Sequence, residues 1–528
     1  MKIYVAANHK YIDEVQTVAQ IFLPHARFKV GSFNGFRHDI NIEPATERAT
    51  YPKQACYISS FFECDKVCAE FCEHGKTPER YELHITCQLS FLNEKRIAML
   101  AVYHLLQKVV GAYTPWGALT GVRPTKMVRQ WIDEGKPEDT IVHYLEDILC
   151  VHTDRAQLAL SVACTENRLA KVISGDTGLN KNGDTVGIYI SIPFCPSRCV
   201  YCSFNVAHKP WSVQEQARYV QAVLDECREV SRYIHNNGLS VSSVYIGGGT
   251  PTVLEDGLLD NLLSCVQGYF IGNDVQSSQC TCASLGHEYT MPVHKHINSE
   301  LEYTVEAGRP DTITRDKLKL MRRYGVNRIS INPQTFNDKT LEAIGRRHCT
   351  QDFLNAFNMA REEGFACINT DIIAGLPGEG VEDMQHTMEA LAALRPENVT
   401  VHTLAIKRAS ILNKQRAEQK LSHTLLEQNN CDPQSFKTQL QIAHEGCAAM
   451  GLLPYYLYRQ KNMAALFENT GYSLPGHECL YNVGMMSEVQ TVLGIGAGAV
   501  SKFIEGTKIT RKFNVKNPEI YIERRQIP

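Results

Sequence analysis

From about residue 186 the sequence repeats one pattern six times: a short β-branched or apolar run, then a stretch with helical periodicity. The runs are "GIYISI" (187–192), "SSVYIGG" (242–248), "EYTVEAG" (302–308), "NRISINPQ" (327–334), "CINTDIIAG" (367–375) and "NVTVHTLAI" (398–406). Helical windows such as "VQEQARYVQAVLDECREVSRYI" (213–234) separate them. Strands that alternate with helices re-enter their sheet in parallel through right-handed crossovers. The pattern therefore predicts an α/β fold, either a doubly wound sheet or part of a barrel. In both, ligands collect at the carboxyl ends of the strands.

The residues at and just after each strand end are accordingly the informative ones. After the first strand comes "IPFCPSRCVYCSF" (192–204), after the second "GGGTPT" (247–252); Glu306 ends the third, Gln334 lies in the fourth, and Asp371 in the fifth, with "GLPGEG" behind it. Polar and glycine-rich residues at successive strand ends are not a packing pattern.

Cys195, Cys199 and Cys202 are spaced C-x3-C-x2-C. A structural zinc site needs four ligands, usually in two pairs, and no second pair lies at a plausible distance. Three thiolates suit a cubane iron–sulfur cluster in which one iron stays open to a non-protein ligand. Tyr201 and Phe204 are placed to shield such a cluster, and Pro193 and Phe194 to anchor the loop.

At 528 residues the chain has room for about three domains at roughly 150 residues each. The expected division is an α/β domain over 1–175, a core over 184–406, and a mixed unit over 407–528 that completes the cavity. In the first, "KIYVAA" and "RYELHIT" (80–86) read as strands, with helices near 92–111, 124–135, 138–149 and 154–173. "SGDTGLNKNGDT" (174–185) has the composition of a linker. Beyond 406, helices are expected around 411–429 and 434–450.

Composition is that of a soluble globular protein: 44% hydrophobic, 21% charged, formal net charge −3. No nucleic-acid or membrane partner is called for. The most apolar helical stretch, 97–113, is interrupted by His104, Gln107 and Lys108 and falls short of a span. Nineteen cysteines in so long a chain, with no secretory leader, indicate reduced thiols in a cytoplasm. The segment 270–299 interrupts the alternation and holds Cys280, Cys282, His287, His294 and His296. It reads as an inserted surface loop rather than a metal site.

The cysteine triplet after the first strand resembles that of the radical S-adenosylmethionine superfamily. Within it, "YISIPFC", "GGGTPT", "INPQTF", "GRRH" and "DIIAGLPG", in that order over about 185–410, resemble the oxygen-independent coproporphyrinogen III oxidase group. "PWGALTGVRPTK" (115–126), "YYLYRQKNM" (455–463) and "GIGAGAVSKF" (494–503) resemble the coproporphyrinogen dehydrogenases of HemZ type. The resemblance implies a partial (β/α)6 TIM-like barrel, with a 4Fe–4S cluster on Cys195, Cys199 and Cys202 and S-adenosylmethionine on its unique iron. It implies that Tyr189 and Glu306 act at the bound cosubstrate, and that Gly248, Gly249, Thr250, Gln334, Arg346 and Asp371 bind it, with Arg347 as a one-position alternative to Arg346.

The implied reaction is one-electron cleavage of S-adenosylmethionine to a 5′-deoxyadenosyl radical, then oxidative decarboxylation of two propionates of coproporphyrinogen III to the vinyl groups of protoporphyrinogen IX. The electron would come from a flavodoxin- or ferredoxin-like donor. Lys407, Arg408, Arg459 and Lys461 are candidates for meeting the substrate carboxylates. Phe204 stands where some of these oxidases carry a further cysteine. Proteins lacking that cysteine include haem chaperones and anaerobic haem-modifying or haem-degrading radical enzymes, which form the alternative reading.

Overall fold

The computed structural model describes residues 2–23, 26–32, 56–73, 76–111, 114–121, 123–173, 185–202, 211–272, 301–405, 410–412, 433–459, 467–506 and 508–526. The chain forms two compact units, Met1–Leu160 and Ser161–Pro528, with the boundary inside helix Thr153–Ile173. The 174–184 stretch, Phe204, Lys407, Arg408, Lys461, most of the expected 411–429 helix and the Cys/His residues of the 270–299 segment lie outside the described residues.

The first unit contains a five-stranded sheet in the order β2-β1-β3-β4-β5. Its strands are β1 (Lys2–Ala7), β2 (Arg27–Ser32), β3 (Cys56–Glu63), β4 (Lys66–Cys72) and β5 (Glu79–His84). β1 runs parallel to β2 and β3, while β3–β4 and β4–β5 are antiparallel. Sequence reading anticipated β1, β5 and the helices from Glu94 onward, but not β2, β3, β4 or helix Ile12–Phe22. The reason is visible in β3 and β4, where consecutive residues such as Tyr57, Ile58, Ser59 and Ser60 are all buried. A strand covered on both faces loses the period-two alternation by which a strand is recognised.

In the second unit the six expected strands form in sequence order. They are β6 (Thr185–Ile192), β7 (Ser240–Gly248), β8 (Glu302–Glu306), β9 (Arg328–Ser330), β10 (Cys367–Ala374) and β11 (Asn398–Thr403). Each is parallel to its neighbours. The sheet grows to eleven strands with β12 (Leu453–Tyr458), β13 (Asn469–Ser473), β14 (Thr491–Ile495), β15 (Val500–Glu505) and β16 (Lys508–Phe513). β14 adds in parallel beside β6, and β13 antiparallel beside β11.

Alternation along these strands separates two environments. One face carries Ile188, Ile190, Val244, Ile246, Tyr303, Val305, Ile329, Ile368, Ile372, Val399 and Val401, buried in one cluster with the crossover helices. Helix Val213–Asn236 contributes Tyr219, Val220 and Val223 to it, and its start is fixed by a capping box between Ser212 and Glu215. Sequential strand order with crossover helices on one face is the partial (β/α)6 barrel, not the doubly wound sheet.

The other, inner face carries Tyr189, Tyr245, Glu302, Glu306, Arg328, Ser330, Asn369, Asp371, Thr400 and His402. Helix Leu480–Ser487 packs there, with Tyr481 stacked on Tyr245 at 4.5 Å and on Tyr189 at 5.9 Å between ring centroids. Glu302, at the start of β8, accepts the N–H groups of Leu480 and Tyr481 at 2.7 and 3.1 Å and so satisfies free donors at that helix's N-terminus. Among the described residues no helix is long and apolar enough to cross a membrane, and every described cysteine is a free thiol.

Candidate active site

At the carboxyl ends of β6 to β11 the inner face opens into a cavity of about 610 Å3. All of Tyr189, Cys195, Cys199, Cys202, Gly248, Gly249, Thr250, Glu306, Gln334, Arg346 and Asp371 line it. Residues far apart in sequence are thus gathered by strand order alone.

The cysteine loop is held at both ends. Phe194, 3% exposed, packs against Trp211 and Tyr219. The N–H of Gly249 donates to the Ile192 carbonyl at 2.8 Å, and that of Thr250 to the Phe194 carbonyl at 2.7 Å. Glycine is required at 249, because a Cβ there would lie 2.4 Å from the Phe194 oxygen. Further along, the Val200 N–H donates to the Ile344 carbonyl at 3.0 Å and the Ser197 hydroxyl to that of Gly345 at 3.0 Å. This seats the "GRRH" motif directly behind the loop.

Each predicted polar residue is fixed by identifiable partners. Glu306 accepts the Tyr245 hydroxyl at 2.5 Å and the Gly248 N–H at 3.0 Å. Burial pushes its carboxyl above the usual range, against the pull of those two donors. Asp371 behaves oppositely. Burial pushes it up, but His402, Asn369 and Thr400 more than offset that and hold it below the usual range. Asn332 and Asn369 each donate to it at 2.8 Å, and His402 Nε2 lies 3.7 Å away.

Gln334 is buried with φ of +69°, a left-handed backbone that a non-glycine residue adopts only when its surroundings enforce it. Here its N–H donates to the Asp371 carbonyl and its own carbonyl accepts from Ile373, both at 3.0 Å. Arg346 is buried and donates to the carbonyls of Gly308 and Asn332 at 3.1 and 2.7 Å, whereas Arg347 is exposed. Arg346 therefore occupies the cavity position. Arg459 is buried and is not among the residues lining the cavity.

Several lining residues were not anticipated. Tyr245 stands in register with Tyr189, and His402 lies two residues beyond Thr400 on the same face, so alternation could have found both. Arg309, three residues after Glu306, was legible as another strand-end residue. Asn482, Met485 and Met486 come from the inner helix, which has no local sequence signal.

The Radical SAM superfamily model matches residues 189–391. The chain is 35% identical over 441 residues, 82% of its length and 79% of the relative's, to a Bacillus subtilis protein named oxygen-independent coproporphyrinogen-III oxidase-like protein HemZ. It is 28% identical to the Bacillus subtilis heme chaperone HemW over 62% of this chain and 74% of that one. Among solved structures it resembles Escherichia coli coproporphyrinogen III oxidase (HemN), described as a radical SAM enzyme, at 22% identity and a TM-score of 0.48, covering 65% of this chain and 69% of that one.

The chain belongs to the radical S-adenosylmethionine superfamily and, within it, to the HemN/HemZ-type group. Proteins of this superfamily use a 4Fe–4S cluster and S-adenosylmethionine.

The residues present fit both groups. No three His, Cys, Asp or Glu side chains among the described residues are gathered to hold a single metal ion, yet the three thiols share one loop on the cavity wall. Burial pushes the Cys195 thiol up to about 11, so it needs a metal centre to become a thiolate at neutral pH. For the cosubstrate, Arg346 Nε is buried with no partner among the described residues, a donor suited to a carboxylate ligand.

Proposed function

We propose that the chain catalyses oxygen-independent oxidative decarboxylation of coproporphyrinogen III, converting two propionates to vinyl groups. The cavity has a mixed lining: Glu306, Asn332, Asn369 and Asp371 are polar, while Tyr456, Tyr458, Met485, Met486, Ile373 and Leu404 are aromatic or apolar. A nucleoside-bearing cosubstrate suits the first, and the face of a tetrapyrrole the second. That mixed lining is the observation that carries the reading. Homology to the protein named oxygen-independent coproporphyrinogen-III oxidase-like supports it, since it extends well beyond the radical core.

When bound, the cluster and S-adenosylmethionine supply hydrogen-atom abstraction through one-electron reductive cleavage, the electron arriving from a flavodoxin- or ferredoxin-like donor. Cys195, Cys199 and Cys202 would hold the cluster. Gly248, Gly249 and Thr250 would offer backbone and hydroxyl groups to the methionine end, and Arg346 its free Nε–H to the carboxylate. Asp371, held ionised, and Glu306 would accept from the ribose. The stacked rings of Tyr189, Tyr245 and Tyr481 would help to exclude water from that side of the cavity. Each turnover would pass a hydrogen atom from a propionate to the deoxyadenosyl radical and one electron to an external one-electron acceptor, with release of carbon dioxide.

A haem chaperone is the second reading, favoured by the relationship to HemW. Anaerobic assay of the reconstituted protein with S-adenosylmethionine, a low-potential reductant and coproporphyrinogen III separates them. Loss of two carboxyl groups per tetrapyrrole, abolished in Cys199→Ala, is expected. Stoichiometric haem capture with S-adenosylmethionine left intact would replace the decarboxylase by the chaperone.

A further inference from the structure

Beside the cysteine loop lies Arg309, which lines the cavity and is only 3% exposed. Its Nη1 donates to Cys199 Sγ at 3.8 Å and to the Ser197 carbonyl at 3.3 Å, and its Nη2 to the Ser197 hydroxyl at 2.9 Å. The same guanidinium pairs with Asp311, through Nε at 3.1 Å and Nη2 at 3.3 Å. Asp311 keeps one fifth of its side-chain surface exposed, so it balances Arg309 from the solvent side while the sulfur contact is buried.

A second buried cation also meets Cys199. The Arg346 guanidinium is fully inside the protein and interacts with Cys199 and Tyr201. His348 is buried beside both arginines, and burial first, then the Arg346 and Arg309 charges, push its ring down to about 4. It is neutral at physiological pH and adds nothing to the balance. Cys199 is therefore the ligand facing two buried cations, with one carboxylate offsetting one of them.

A cluster's reduction potential depends on its net charge, on hydrogen bonds to its sulfurs and on exposure to solvent. We propose that Arg309, acting through its hydrogen bond to Cys199 Sγ, raises the reduction potential of the cluster, and that Asp311 sets how much of that positive charge the cluster feels. Reduction adds one electron, taken from an external low-potential donor, and a desolvated guanidinium beside a ligand sulfur stabilises that charge without transferring a proton. The inference rests on the cluster being held by the three cysteines and is independent of which tetrapyrrole is the substrate.

The test uses the full chain, anaerobically reconstituted, without S-adenosylmethionine or tetrapyrrole. Midpoint potentials are read by titration with dithionite and mediators under electron paramagnetic resonance, with iron and sulfide measured per chain. Asp311→Asn leaves the Arg309 bonds to Ser197 and Cys199 in place and should raise the potential by about tenfold in the reduction equilibrium, roughly 59 mV for one electron. Arg309→Gln should lower it by at least as much, with Arg309→Lys between the two. A purely structural Arg309 predicts reduced cluster content in the Arg309 variants and an unmoved potential in Asp311→Asn. Because loss of the guanidinium can also loosen the loop, Asp311→Asn at full cluster content decides. An unchanged or lowered potential there overturns the proposal.

Discussion

The Tyr245 hydroxyl donates to Glu306 Oε1 at 2.5 Å, joining the inner faces of β7 and β8 where they line the cavity. Glu306 ends a strand whose other face is core, so its carboxyl depends on Tyr245 and the Gly248 N–H for compensation. Tyr245→Phe removes one of these and should weaken S-adenosylmethionine binding about tenfold, in line with roughly 1.5 kcal/mol for a hydrogen bond to a charged group. Equilibrium dialysis on the reconstituted protein measures this. Unchanged affinity would place the cosubstrate away from Glu306.

Gly249→Ala should be far more damaging than its size suggests. The new methyl would overlap the Phe194 carbonyl and displace the loop that carries Cys195. The expected result is substoichiometric iron together with a stability loss of about 1–3 kcal/mol, the range for overpacking. Iron content and thermal unfolding of the same preparation report on both. A fully loaded, equally stable variant would contradict the geometry.

A pH effect is expected from Glu379. Buried behind Gln334, it accepts the Thr335 hydroxyl at 2.5 Å, and burial pushes its carboxyl up to about 7. A carboxyl whose acidity is weaker in the folded state binds its proton more tightly there than when unfolded. Its stabilising contribution is complete below the unfolded value near 4.5 and is lost as pH rises through about 7. Glu379→Gln, which keeps a donor and an acceptor without the charge, should flatten that decline. At pH 8 it should gain up to about 3 kcal/mol relative to the parent. Denaturant unfolding at pH 5, 6.5 and 8 gives the answer, and parallel curves for both proteins would refute it.

Asp371 offers the opposite case. Burial pushes its pKa up, but His402, the first of the groups lowering it, and its hydrogen-bond partners outweigh that, so the carboxyl stays ionised through the working range. In His402→Phe that support is lost and the Asp371 value should rise. Cosubstrate affinity should then fall more at pH 5.5 than at pH 8, by roughly threefold to tenfold. A pH-independent loss would mean that the ionisation of Asp371 does not govern binding.

The sequence by itself determined the parts that depend on local order. Six apolar runs alternating with helical windows specified parallel strands, and strand-end chemistry located the cysteine loop, Gly248 to Thr250, Glu306, Gln334 and Asp371, all of which line one cavity together with Arg346, which the family resemblance supplied. Each strand contributes a ligand-facing position through its own two-residue period, which requires no knowledge of neighbours. Tertiary structure decided what depends on partners distant in sequence. Strands β3 and β4 were hidden because both their faces are covered, and the inner helix Leu480–Ser487 has no reason to enter the barrel until Glu302 and Tyr245 are there to receive it. The choice of Arg346 over Arg347, the ionisation of Asp371 against the raised Glu306, and the contact of Arg309 with Cys199 likewise arise from burial and pairing, which only the packed fold fixes.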